Sequence, residues 1–155
     1  MPDAEFFLVG EGIARAELKK LAQTLGITDH VHFLGKVLPP DLMDIYRAGW
    51  LFATASETET QGIVLIEAAA TGLPLVAVDA GAVREVCQNR KNGYLCQPGD
   101  TAAMSRALAQ LLTDKDLRTK YSQESLKIAQ THDIDHTLRR FEEIYHEAIR
   151  IKSTE

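Results

Sequence analysis

The stretch from Ser56 to Asp79 constrains the fold most, because it places a single charge between two apolar runs. Its sequence is S-E-T-E-T-Q-G-I-V-L-I-E-A-A-A-T-G-L-P-L-V-A-V-D, and Glu67 is the one charged residue between Glu59 and Asp79. A run so rich in apolar and small residues predicts a buried helix that stops at Gly72 and is followed by a buried strand. A carboxylate in such a helix is costly to bury alone. We therefore expect Glu67 to have partners, in a structural ion pair, a cap contact or a ligand.

The start of this helix carries residue types that suit a phosphate group. Thr60 and Gln61 are candidate cap residues, and Gly62 lets a ligand approach the backbone closely. The first N–H groups of a helix have no partner inside it and lie at the positive end of its dipole. Glu59 precedes the helix and Glu67 lies within it, so a carboxylate stands at each end of the phosphate site. A nucleotide sugar, with hydroxyl groups on both sides of a diphosphate, has the matching shape.

Strand and helix patterns alternate through the first two thirds of the chain. Apolar runs and helical stripes predict, in order, strand 5–9, helix 14–25, strand 31–34, helix 39–48, strand 50–55, helix 62–71, strand 75–78 and strand 94–96. This alternation predicts an α/β fold with a Rossmann-like parallel sheet and helices on both faces. Such sheets bind ligands at the carboxyl ends of their strands.

The last third of the chain is predicted to be helical. Helical patterns cover 101–112, 117–130 and 136–151, with no strand pattern between them. In the last of these helices, Leu138, Phe141, Tyr145 and Ala148 form a stripe at helical spacing. The ordinary interpretation of that stripe is that it packs on the core of this chain.

Two glycine-containing loops follow the first two predicted strands. Gly10-Glu11-Gly12 suggests a nucleotide loop or simply a tight turn. The full dinucleotide fingerprint requires a small residue where this chain has Arg15, so binding of NAD or FAD is disfavoured. Gly35-Lys36-Val37 ends the second strand, and the residues alone predict only a turn there.

Composition limits the remaining functional classes. The 155 residues predict one domain, and the net charge of −5 argues against nucleic-acid binding. No apolar run is long enough to predict a membrane span or a signal peptide. Cys87 and Cys96 lack metal or redox spacing and are expected to be reduced in a cytoplasmic protein. The histidines, at positions 30, 32, 132, 136 and 146, are scattered, so neither a metal site nor a cofactor is expected.

The central stretch resembles the signature of the retaining GT-B glycosyltransferases known as group one, or family four. The usual form of that signature is E-x-F-G-hydrophobic-x-hydrophobic-hydrophobic-E-A-M-A-x-G-x-P-V-V. Both carboxylates, both glycines and the proline of the signature are in register here, at Glu59, Gly62, Glu67, Gly72 and Pro74. The chain departs from the signature at Gln61, where Phe is common, and at Ala69, where Met is common.

The resemblance implies a role for each part of the site. Glu67 would bind the ribose hydroxyls of a nucleotide-sugar donor, and Glu59, the catalytic candidate, would contact the hydroxyls of the sugar. The backbone N–H groups of the segment Gln61, Gly62, Ile63 and Val64 would meet the sugar and the diphosphate. The loop with Gly10 and Gly12 would lie near the donor, and the backbone after Gly35, at Lys36 and Val37, would lie against the nucleobase.

The resemblance also implies that the chain is a fragment. Its opening residues, Pro-Asp-Ala-Glu-Phe-Phe-Leu-Val-Gly-Glu-Gly, resemble the second strand of the family's carboxyl-terminal domain. The first strand, the Arg and Lys that follow it and the acceptor-binding domain would then be absent. In the strand order 3-2-1-4-5-6 the absent strand is central, so we expect a gap in the sheet.

On this interpretation the chain is the donor-binding part of a hexosyltransferase that is inactive when isolated. Its partners would be the nucleotide-sugar donor and the absent acceptor domain, which could supply a peripheral membrane contact. The alternative is a non-enzymatic module of the same fold, kept for nucleotide binding or for association with another subunit.

Overall fold

The computed structural model describes residues 3–152, with backbone only for 136 and 152. The chain divides after Ala48 into two compact units. The first unit contains β1 (Phe6–Val9), α1 (Arg15–Thr24), a short 3-10 helix (Thr28–His30), β2 (Val31–Gly35) and α2 (Asp41–Ala48). The second contains β3 (Phe52–Thr54), α3 (Ile63–Ala70), β4 (Leu75–Val78), α4 (Val83–Val86), β5 (Gly93–Cys96), α5 (Thr101–Thr113), α6 (Lys115–Thr131) and α7 (Ile134–Lys152). The predicted order of strands and helices is confirmed, and the 3-10 helix and α4 are additions to it.

The first unit is built on a parallel pair of strands, β1 and β2. Helix α1 ends where predicted, with the N–H of Ile27 donating to the carbonyl of Ala22 (3.0 Å) around Gly26. Its apolar residues at helical spacing are mostly exposed: Leu18, Leu21 and Leu25 are 41–59% exposed, and only Ala22 among them is buried. A two-stranded sheet offers too little surface to cover a helix.

The second unit is built on the parallel sheet β3-β4-β5, with β4 in the middle. All residues of β4 are at most 5% exposed. Since neighbouring side chains of a strand point to opposite faces, both faces of β4 are covered. The face of Val76 packs against Ala107 and Leu111 of α5 and Tyr121 of α6. This arrangement confirms the predicted α/β class, with helices over both faces of a parallel sheet.

The described strands form two sheets, the parallel pair β1-β2 in the first unit and the parallel triplet β3-β4-β5 in the second.

Helix α7 differs from its prediction. Leu138, Phe141 and Tyr145 of its apolar stripe are 52%, 54% and 67% exposed. The interpretation that this stripe packs on the chain's own core is therefore wrong.

Within residues 3–152, no helix is both long and apolar enough to cross a membrane.

Both cysteines are buried free thiols, as predicted. The Sγ atom of Cys87 lies 3.6 Å from the carbonyl oxygen of Tyr94, between β4 and β5. Burial is the main cause that raises the pKa of the Cys87 thiol to about 12. This thiol therefore stays protonated and unreactive near neutral pH.

Candidate functional site

The carboxylate of Glu59 binds backbone N–H groups at the start of α3. Gly62 precedes the helix in the left-handed region, with φ at 68°. This conformation turns the chain so that Glu59 Oε1 accepts hydrogen bonds from the N–H groups of Gly62 (2.9 Å) and Gln61 (3.3 Å). The prediction that Thr60 or Gln61 caps the helix is therefore wrong, because the N-cap residue is Gly62 and its N–H donates to Glu59. A carboxylate of the chain itself thus lies beside the helix start, where an anion was predicted.

Helix α3 has one buried face and one open face. Successive residues of a helix are rotated by about 100°, so Leu65, Ala68 and Ala69, all at 0% exposure, share one side. Glu67 points in roughly the opposite direction and is half-buried. Ile63 and Val64 are 53% and 37% exposed. The expectation of a helix buried all round is therefore wrong, and Glu67 faces away from the core of the second unit.

The turn after β4 lies directly against Glu59. A Cβ atom added at Gly81 would be 2.2 Å from the carbonyl oxygen of Glu59, too close for any side chain. The N–H of Ala82 donates to that same oxygen at 3.3 Å. The backbones of the two loops that follow β3 and β4 are therefore in contact at the carboxyl ends of their strands.

An ion pair spans this turn. The carboxylate of Asp79, directly after β4, accepts hydrogen bonds from Nε of Arg84 and from its Nη2 (2.7 Å). These bonds are the main cause that lowers the pKa of the Asp79 carboxyl. Gln97, directly after β5, also donates to Asp79, with Nε2 at 3.5 Å from Oδ2.

Four residues of this region were not predicted from the sequence to belong to the site: Asp79, Gly81, Arg84 and Gln97. The available signal was position: Asp79 and Gln97 directly follow strands, at the edge where parallel sheets bind ligands. The partner of Asp79 was harder to find, because the four residues of α4 are too few to show a helical period.

In the first unit, the two predicted glycine loops lie together. The N–H of Gly10 donates to the carbonyl of Gly35 at 2.7 Å, so the loops at the carboxyl ends of β1 and β2 are adjacent. Arg15 lies beside them, with Nη2 donating to the carbonyl of Phe33 (3.2 Å). Gly12 and Lys36 are exposed in these loops, and Val37 is half-buried.

Two of the histidines, His30 and His32, have partly exposed side chains and share one carboxylate partner. His30 Nδ1 and His32 Nε2 lie 3.2 Å and 2.6 Å from the two carboxylate oxygens of Glu5. Hydrogen bonds with His32 and then His30 are the main causes that lower the pKa of the Glu5 carboxyl. His136 lies outside the described side chains. Among the side chains that are described, no cluster of three or more His, Cys, Asp or Glu residues is arranged to hold a metal ion.

Curated proteins similar to this chain are glycosyltransferases. The N-acetyl-alpha-D-glucosaminyl L-malate synthase of Bacillus anthracis is 32% identical over 149 residues, which cover 96% of this chain and 39% of that protein. The D-inositol 3-phosphate glycosyltransferase of Salinispora arenicola is 36% identical over 141 residues, which cover 90% of this chain and 32% of that protein. The matched part of the chain thus spans 32–39% of the length of these relatives.

Solved structures show the same fold. Anabaena Alr3699/HepE in complex with UDP matches 95% of this chain and 42% of that one, with a TM-score of 0.85 and 26% identity. The structure of the same protein in complex with UDP-glucose matches with a TM-score of 0.84. These likenesses confirm the predicted fold class, half of a GT-B fold.

The family model described as glycosyl transferases group 1 matches residues 1–127. That range includes both predicted glycine loops, the Glu59 loop, α3 and the turn after β4. The match, together with the relatives, shows that this chain belongs to the group 1 glycosyltransferases.

Proposed function

We propose that this chain is the donor-binding part of a retaining glycosyltransferase. The complete protein would transfer a hexose from a nucleoside diphosphate to a lipid, a glycan or a small molecule. One observation supports this most directly: Glu59 binds N–H groups at the start of α3, while Glu67 lies on the open face of that helix. The geometry offers N–H groups for a diphosphate and a carboxylate on either side for hydroxyl groups.

The start of α3 would bind the diphosphate. Helix N–H groups and the helix dipole stabilise the negative charge that develops on a leaving nucleoside diphosphate. In the free chain, Glu59 already uses the N–H groups of Gln61 and Gly62. Two anions repel each other at one site, so we expect the arriving diphosphate to displace this carboxylate towards the hydroxyls of the sugar. Ile63 and Val64 would supply the next N–H groups.

Glu67 would hold the ribose. It lies one turn after Ile63 on the same side of α3, because residues four apart share a helix face. Its carboxylate would accept hydrogen bonds from the two ribose hydroxyls. The loops that contain Gly10, Gly12, Gly35, Lys36 and Val37 would contact the rest of the donor, including the nucleobase. This assignment follows from the resemblance to the family alone.

The comparisons support a nucleotide-sugar donor, because Anabaena Alr3699/HepE has been crystallised with UDP and with UDP-glucose. The acceptor would bind to a further domain, since the chain spans only 39% of the first relative and 32% of the second. A cytoplasmic location, a membrane contact through the acceptor domain and the need for no metal or cofactor remain predictions.

A non-enzymatic association module is the second candidate. It is favoured by the open apolar side of α7, where Phe141 and Tyr145 are more than half exposed. Such a surface is typical of a helix that packs against another protein. A chain that associates through α7 but binds no nucleotide would support this candidate over the first.

Substitution of Glu67 tests the donor site. We expect Glu67→Ala to abolish saturation transfer from the chain to the ribose protons of a nucleoside diphosphate, tested with uridine, guanosine and adenosine diphosphates. Glu124→Ala is the matched control, because Glu124 is also a half-buried helical glutamate, paired with Lys127 on α6. If Glu67→Ala instead unfolds at a much lower temperature than the parent, Glu67 has a structural role and the ribose assignment is wrong.

A further inference from the structure

The position of Glu59 depends on the turn after β4, which the family signature from Glu59 to Val76 does not include. Glu59 lies in the loop that follows β3. Its carbonyl oxygen accepts a hydrogen bond from the N–H of Ala82 at 3.3 Å. Gly81 approaches the same oxygen so closely that only glycine fits. A displacement of this turn would therefore move the backbone of Glu59, and with it the carboxylate at the start of α3.

The turn is held across its ends by an ion pair. The fork of the Arg84 guanidinium binds both carboxylate oxygens of Asp79, five residues earlier. Such a two-point contact fixes direction as well as distance. Between these residues, the N–H of Val83 donates to the carbonyl of Ala80 at 3.2 Å. The ion pair therefore closes the turn that carries Gly81 and Ala82.

The two partners differ in exposure, which indicates how the pair works. The Asp79 side chain is 10% exposed, whereas that of Arg84 is 70% exposed. Asp79 is anchored to the sheet, because its N–H donates to the carbonyl of Cys96 at 2.8 Å. The Asp79 carboxylate is thus held by the sheet, and the Arg84 side chain binds it from the solvent-exposed side of the turn.

We propose that Arg84 and Asp79 are positioning residues for Glu59: their ion pair holds the Gly81–Ala82 turn against the Glu59 backbone and so keeps the Glu59 carboxylate on the start of α3. This inference rests on the proposed function, since it assigns a role to residues behind the donor site. Neither residue needs to touch the donor. Loss of the pair lowers donor affinity by letting the Glu59 loop move.

The test measures, by ¹H–¹⁵N NMR with no ligand present, how far Glu59→Gln shifts the amide resonance of Gly62. The Gly62 N–H donates to the Glu59 carboxylate, so replacing this carboxylate should shift the resonance, and the size of that shift is the Gly62 response. We expect the response to be at least twofold smaller when Arg84→Met is also present. Arg84→Lys should retain part of it, because lysine keeps the charge but lacks the guanidinium fork. If Arg84→Met fails to fold, the response of Arg84→Lys tests the proposal.

Arg140→Met is the matched control, because the Arg140 side chain is about as exposed as that of Arg84 (66% against 70%) and also pairs with a carboxylate, that of Glu143 on α7. This control should leave the Gly62 response unchanged. An Arg84→Met response equal to that of Arg140→Met would overturn the proposal. Titrations with a nucleoside diphosphate should show about tenfold weaker binding for Arg84→Met than for the parent. If the parent chain binds no nucleotide, only the proposed donor site is contradicted, because the Gly62 response is measured without a nucleotide.

Discussion

Replacing Gly81 by alanine tests whether the turn after β4 and the Glu59 loop are in close contact. Gly81 has φ at 51°, and an added Cβ would lie 2.2 Å from the carbonyl oxygen of Glu59. A left-handed conformation costs a residue other than glycine about 1–2 kcal/mol. Relief of the contact, by moving one loop away from the other, adds about 1–3 kcal/mol. We therefore expect Gly81→Ala to lower the free energy of unfolding by about 2–5 kcal/mol.

Gly99→Ala separates the two contributions. Gly99 also has a positive φ, 76°, but an added Cβ there meets no atom within 4 Å. Gly99→Ala should therefore lower the free energy of unfolding only by the conformational cost, about 1–2 kcal/mol. In a chain of this size each kcal/mol lowers the melting temperature by about 2–4 °C, so the difference is measurable by thermal unfolding followed by circular dichroism. If Gly81→Ala unfolds at the same temperature as Gly99→Ala, the loops are not in contact and the positioning argument fails.

Two further predictions concern the core of the second unit. Ser125 is fully buried and donates to the carbonyl of Leu73 at 2.7 Å, so Ser125→Ala should lower the free energy of unfolding in urea by about 1–3 kcal/mol. The exposed Ser105→Ala should change it by less than about 0.5 kcal/mol, and an equal effect of both would contradict the burial argument. Because burial raises the pKa of Cys87 to about 12, its thiol should not react with Ellman's reagent in the folded chain at pH 8 and should react after denaturation. Because the unfolded thiol ionises from about pH 8.5, this raised pKa also predicts a fall in stability from that pH upwards, visible as a shift in the urea midpoint. Rapid modification of Cys87 in the native chain would contradict both expectations about this thiol.

Strongly patterned elements could be predicted closely from the sequence. The strand expected at 75–78 is β4, Leu75–Val78, because Pro74 and Asp79 bound a continuous apolar run. The helix expected at 62–71 differs by one residue at each end from α3. These elements carry their own start and stop signals, so local rules were sufficient.

The direction in which Glu67 points could not be predicted. Almost every position of α3 is apolar or small, so the sequence does not distinguish a core-facing side from an open one. Only the packing of Leu65, Ala68 and Ala69 in the second unit decides it. The exposure of the α1 leucines has a similar cause, since it depends on how much sheet is available to cover them.

Contacts between loops were the least predictable part of the site. The contact of Glu59 with the start of α3 depends on the left-handed conformation of Gly62, which a sequence permits but does not require. The pairing of Asp79 with Arg84 depends on a turn whose shape is set by its contact with Glu59. Residue type and spacing indicated a donor site at α3, but they did not indicate what holds it in place.

The central claim is that the start of α3 binds the diphosphate of a nucleotide sugar. Its most direct test is a ¹H–¹⁵N NMR titration of the chain with uridine, guanosine and adenosine diphosphates. We expect one of these nucleotides to shift the amide resonances of Gln61, Gly62, Ile63 and Val64 more than any other amide resonances of the chain, and we expect Glu67→Ala to remove this response. Largest shifts on α7 or on the Glu5–His30–His32 cluster, or no response to any nucleotide by a folded chain, would contradict the central claim.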